Sequence, residues 1–180
     1  MMATGAGTSA YILAAAVCAA EMLDEARADA QLLLLKGQRK PHWRDESAKR
    51  RQQIVDQIVS MPLEHVVVFR DSPTTERLER RRRLSMRGLL PILDDRGIQH
   101  ATFESRGNAD DARDRHLLDS VRASHGISSR LRLDHAKGPL EPMLWIADAV
   151  CGMVGTNLGG NDLYLAQLQA SVTVEIIELP

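Results

Sequence analysis

Cysteine is scarce in this 180-residue chain: Cys18 and Cys151 both lie in apolar runs. No disulfide framework can hold the fold, and a reducing, cytoplasmic compartment is expected. Aromatic side chains are equally thin, two each of Phe, Trp and Tyr. That is too few for the rows of stacked rings that grip single-stranded nucleic acid. No stretch approaches the roughly 18 to 20 apolar residues of a membrane span. The ten residues ahead of the apolar run Tyr11–Ala20 contain neither Lys nor Arg, which a secretory signal would require. Familiar catalytic signatures are missing as well: no GxSxG, CxxC or HExxH occurs, and no glycine-rich dinucleotide loop. The stretch GTNLGGND at 155–162 lacks the Lys-Ser/Thr pair of a phosphate cradle and reads as a flexible turn.

Basic residues are absent from both ends. All 23 Lys and Arg lie between Arg27 and Lys137, against 19 acids up to that point. The 43 residues beyond Lys137 carry five acids and no base. A formal charge of −1 therefore conceals a basic body and an acidic C-terminal segment.

What is present is a core-forming composition, 44% apolar and 26% charged, of a size for a single domain over residues 1–180. Apolar runs suited to strands are expected at 11–18, 65–69, 98–103, 130–134 and 172–177. Helical spacing is expected at 21–35, from 45 to Pro62, at 76–95 with an interruption near Gly88 and Pro91, at 108–124 and at 141–154. Strands alternating with helices predict an α/β fold, a mixed sheet covered by helices on both faces.

With no nucleophile or metal signature, carboxylates are the groups left to carry chemistry. Glu104 ends the apolar strand IQHATF, and the carboxyl ends of strands are where open α/β sheets place ligands. It could equally be a solvated acid paired with Arg106. Asp148 sits beside the apolar arc Met143, Ile146, Ala147, Val150 and Val154, with Glu141 two turns back and Gly152 one turn ahead. That spacing predicts open space beside its carboxylate and no local base. A half-buried acid needs a partner, either a divalent cation or an arginine from elsewhere. Asp110 and Asp111 fit the first turn of a helix capped by Asn108. Asp114 lies past that turn, and Asp134 ends the LRLDH strand; both are further candidate ligands.

Two basic clusters, at 36–51 and 77–87, could bind phosphate through Arg39, Lys40, Arg44, Arg80, Arg81 and Arg83. Glu76 and Glu79 interrupt the second, so a solvated helix face is the competing expectation.

The segments HWRDES at 42–47, HVVVFR at 65–70, FESRG at 103–107 and EPMLWIADAVCG at 141–152 resemble domain-of-unknown-function family 3800, and most closely a short, actinobacterial-type branch of it. The resemblance implies a ribonuclease H-like fold and nuclease-type phosphodiester hydrolysis with Mg2+ or Mn2+. It implies Asp-Glu on the first strand and Gln-x-x-Asp in the last helix. Asp148 matches the second motif, with Trp145 at its Gln position. The first motif has no counterpart, and no acid precedes Glu21. Such enzymes hold two ions about 4 Å apart. The resemblance therefore leaves Glu104 and Asp148 as catalytic metal ligands for one ion, in a form whose activity is impaired. The alternatives are a non-catalytic module binding nucleic acid or a protein partner, or a homodimer formed through a sheet edge that the missing strand leaves exposed.

Overall fold

A computed structural model describes residues 7–124 and 126–180. The elements, in chain order, are β1 (Thr8–Val17), α1 (Leu23–Gln31), α2 (Ala48–Ser60), β2 (Glu64–Pro73), α3 (Leu78–Asp95), β3 (His100–Glu104), α4 (Asn108–Ala123), β4 (Arg132–Ala136), α5 (Pro142–Leu158), α6 (Leu163–Gln169) and β5 (Val174–Glu178). Short 3-10 turns precede α1, α2 and α5.

The fold is α/β, with a mixed three-stranded sheet ordered β1–β2–β5 and a separate parallel pair, β3–β4. β1 runs antiparallel to β2, from Thr8 opposite Pro73 to Val17 opposite Glu64. β5 runs parallel to β2, His65 opposite Val174 through Phe69 opposite Glu178. His65 to Phe69 are all buried, the apolar run of a strand covered on both faces. Val67 packs toward α1, α2, α5 and α6, and Val66 and Val68 pack toward α3 and α4.

The expected single sheet, covered on both faces, is split. β3 and β4 bury Ala101, Phe103 and Leu133 against α3 and α4. Their other face, carrying His100, Thr102, Glu104, Arg132 and Asp134, is exposed. β4 also begins later than its sequence suggests. Asp94 accepts bonds from the Ser128 amide at 2.7 Å and its hydroxyl at 2.6 Å, which fixes the approach to the strand as a loop. Asp134 thus falls mid-strand.

Three local expectations are corrected. α3 runs unbroken through Gly88 and Pro91, because Leu89, Leu90 and Leu93 anchor that stretch in the core. Gly88 serves instead as a seat: a Cβ there would lie 2.5 Å from a methyl of Leu179. The segment at 155–162 is helical as far as Leu158, and α6 follows it. The helix after Glu104 is preceded by Gly107 at φ 103°, with Asn108 already inside it.

α5 positions the site. Glu141 accepts a bond from the Met143 amide at 3.2 Å and Pro142 fills the first helical position, the pairing helix starts favour. Arg27 of α1 clamps the same Glu141 at 2.7 Å, so the base-free segment takes its cation from 114 residues away. Among the described residues no helix is long and apolar enough to cross a membrane.

Candidate functional site

The two principal acids converge on one loop, between α1 and α2. Glu104, at the carboxyl end of β3, takes the ammonium of Lys40 at 2.5 Å. Three residues on, the Trp43 amide donates to Asp148 Oδ2 at 3.2 Å, with His42 Nδ1 3.9 Å from the same oxygen. About half of each acid's side chain is exposed, 47% for Glu104 and 49% for Asp148. The expected Glu104–Arg106 pair does not form. Arg106 turns to Glu79 at 2.9 Å and to Asp114 at 3.5 Å.

Two glycines admit this loop. A Cβ on Gly138 would stand 2.1 Å from Glu104 Oε1 and 2.9 Å from Lys40 Nζ. A Cβ on Gly152 would stand 2.0 Å from the Trp43 ring. The space that helical spacing predicts beside Asp148 therefore exists, and the Trp43 indole fills it. Trp43 is fixed from every side. Its ring meets Tyr164 edge-on at 5.1 Å and the Arg51 guanidinium at 5.3 Å, and Arg51 Nε also donates to its carbonyl at 3.0 Å. Trp145, at the position where the resemblance expects Gln, donates its indole N–H to the Gly138 carbonyl at 2.7 Å. It locks the β4–α5 connection beneath Glu104 and Lys40.

Asp114 lies in a buried ion-pair network. Arg82 donates to it at 2.7 Å and His135 Nε2 sits 3.2 Å away. Burial pushes this carboxyl up, but the Arg82 bond and charge, with His135 and Arg106, hold it below the usual carboxylate range. Asp111, expected only to favour the helix dipole, accepts from the Ser105 hydroxyl at 2.6 Å and the Arg106 amide at 3.1 Å. Those bonds hold its carboxyl low as well, the Ser105 bond foremost. Asp134 is exposed on the bare face of the β3–β4 pair. Thr102 stands opposite Asp134 and Ala136 opposite Glu104, so the two acids are diagonal neighbours on one face.

Glu104 faces an ammonium, Asp148 an amide, and Asp114 a guanidinium and an imidazole. Among the described residues no three His, Cys, Asp or Glu side chains group to hold a metal ion.

The basic residues divide. Arg39, Arg44 and Arg83 are exposed. Arg80 is exposed beside Glu76, at 2.9 Å. Lys40 is committed to Glu104. Arg81 is a correction to the surface expectation: it is 6% exposed, bonded to the Ser72 hydroxyl at 2.6 Å and the Ser9 hydroxyl at 2.8 Å, and stacked over Tyr11 at 5.9 Å.

Sequence reasoning missed Lys40 as Glu104's partner and Trp43 as Asp148's. The one local signal was the Pro41-His42-Trp43 step inside an otherwise polar loop, which marks a buried anchor. Neither a family model, nor a curated protein, nor a solved structure matches this chain.

Proposed function

We propose that this chain is a cytoplasmic, ribonuclease H-like domain that binds phosphodiester backbones and whose acidic site is occupied by its own loop. The observation that carries the reading is the pairing of Lys40 with Glu104 at 2.5 Å, three residues from the Trp43 amide that holds Asp148. An ammonium sits where a metal-dependent hydrolase would need a cation, and it is flanked by exposed Arg39 and Arg44. Arg39 directly precedes Lys40 and Arg44 directly follows Trp43, so a phosphate bound along this loop would meet basic side chains. Binding of this kind needs no divalent ion and weakens with salt.

The test is fluorescence anisotropy of a labelled single-stranded RNA and its DNA equivalent in EDTA, at several salt concentrations. Binding that falls linearly in log–log form, with a slope lowered by about 0.7 for each lost contact in Arg39→Ala and Arg44→Ala, supports the reading. Cleavage that requires Mg2+ or Mn2+ and vanishes in Asp148→Ala overturns it. That outcome belongs to the second reading, a metal-dependent nuclease in which Lys40 leaves Glu104 when an ion arrives. What favours this second reading is that Glu104 and Asp134 are diagonal neighbours on one exposed face.

A further inference from the structure

The arginine run of α3 divides between the two sides of its helix. Arg81 and Arg82 are buried, on the side where Met86, Leu89 and Leu93 meet the core. Arg80, Arg83 and Arg87 recur at helical spacing on the opposite side, with Arg77 just ahead of the first turn. All four are exposed. The acids that interrupt this run in the sequence do not neutralise it. Glu79 is held by Arg106 at 2.9 Å. Glu76 is shared between Arg70, at 2.5 Å, and Arg80, at 2.9 Å. Asp94 is taken by Ser128, and Asp95 lies about two turns beyond Arg87. Among the described residues no carboxylate pairs with Arg77, Arg83 or Arg87.

This row stands across the sheet from the loop that carries Arg39 and Arg44. α3 packs in the cluster that holds Val66, Val68 and Phe103. Trp43, in the middle of the loop, packs in the other cluster, with Val67 and α5. Glu104, the partner of Lys40, follows Phe103 along β3 and so faces away from α3. The strands thus separate two basic surfaces. On the loop side Lys36, Arg39, Arg44 and Lys49 are exposed.

We infer that the outward face of α3 is a second phosphate-binding surface, for the backbone of a duplex, and that one chain bridges two nucleic-acid segments, one on each side of its sheet. Arg77 to Arg87 span about 15 Å of helix, and each strand of a duplex spends about 3.4 Å of axis per phosphate. Four guanidinium groups therefore meet about four phosphates. Nothing on this face can stack on a base. Tyr11 and Phe103 lie under Arg81 and Arg82, and the other four aromatic side chains are buried. Contact with backbone alone suits a duplex, whereas single strands are gripped by exposed rings. A bilayer would want apolar side chains to insert among the cations, and the row offers only half-buried Leu84. The bridge rests on the reading that the loop binds phosphodiester backbones; the α3 surface does not.

The probe is a mixture of short DNA duplexes, half carrying a donor dye and half an acceptor, titrated with the full chain in EDTA. Energy transfer that rises with protein and falls again in excess is the expected result. The triple variant Arg80→Ala, Arg83→Ala and Arg87→Ala should lose the transfer and lower the salt slope of duplex binding by about 0.9 for each lost contact. Its affinity for single-stranded RNA should stay that of wild type. Arg39→Ala with Arg44→Ala should lose the transfer too, while α3 still binds a duplex. Duplex binding unchanged in the triple variant overturns the α3 surface and leaves the loop reading standing. If Arg39 and Arg44 affect no probe, the loop reading falls and the bridge with it. Transfer that persists in the loop variant assigns bridging to paired copies of one surface and overturns it. Binding to phosphatidylserine vesicles or to polyglutamate, but to no duplex, overturns it as well.

Discussion

The indole of Trp43 rests on the backbone of Gly152: a β-carbon at Gly152 would stand 2.0 Å from the ring. Glycine inside a helix ordinarily costs about 1 kcal/mol against alanine. Here it admits the side chain that fastens the 37–47 loop to α5. Gly152→Ala is expected to destabilise the fold by about 1 to 3 kcal/mol despite its better helix propensity. Denaturant titration checks the sign, since a stabilised variant would mean that the indole does not need the space.

The Lys40–Glu104 pair is partly exposed, so its worth to stability is small. Lys40→Ala should leave the melting temperature within a degree or two of wild type while weakening RNA binding several-fold in EDTA. Calorimetric titration with Mn2+ distinguishes the two functional readings. Ion binding gained by Lys40→Ala and lost again with Asp148→Asn would identify the ammonium as standing in for a metal.

Asp114 and its partners behave differently because they are buried. Removing one member of a buried pair strands the other, at a cost of about 3 to 5 kcal/mol. Asp114→Ala should cost that much, and the double change with Arg82→Leu markedly less than the sum of the two single changes. The sign with pH follows from the lowered carboxyl pKa. The contribution is complete above the unfolded value of about 3.9 and is lost as pH falls through the depressed one. Acid unfolding below about pH 4 should therefore be blunted in Asp114→Asn.

His65 lies fully buried on β2, and neither ring nitrogen has a partner. Burial drives its pKa down to about 4. The folded state thus holds the ring neutral, and stability falls as pH drops from the unfolded value of about 6.5 toward the folded one, by roughly 3 kcal/mol in all. His65→Leu should flatten stability between pH 6.5 and 4 without loss at pH 8, because it replaces unpaired buried polar atoms with an apolar side chain. Equilibrium unfolding across that range measures it.

The strand–helix alternation was legible because its signals are local. Runs such as HVVVF carry their burial in their own composition, and Ser47 caps α2 with a bond to the Arg50 amide at 3.2 Å. Glu104 and Asp148 were legible as acids in unusual places, one at a strand end and one on an apolar helix. Their partners were not, since Lys40 lies 64 residues from Glu104 and Trp43 lies 105 from Asp148. Nothing in a local window encodes those distances. Arg81 and Arg82 misled for a related reason: four consecutive arginines read as a surface, yet a helix turns two of them inward, where Ser9, Ser72 and Asp114 receive them. The split of the sheet was hidden too, because an edge strand and a central strand share the same apolar sequence.

Both tryptophans of the chain are buried against α5, Trp43 on Gly152 and Trp145 within the helix, at 5% and 4% exposure. Tryptophan emission therefore reports the docking of that helix, together with the Tyr164 and Arg51 side chains that meet Trp43. The bond that ties Trp43 to α5 spans 105 residues, so its signal arrives with the slow closure that such distant contacts impose.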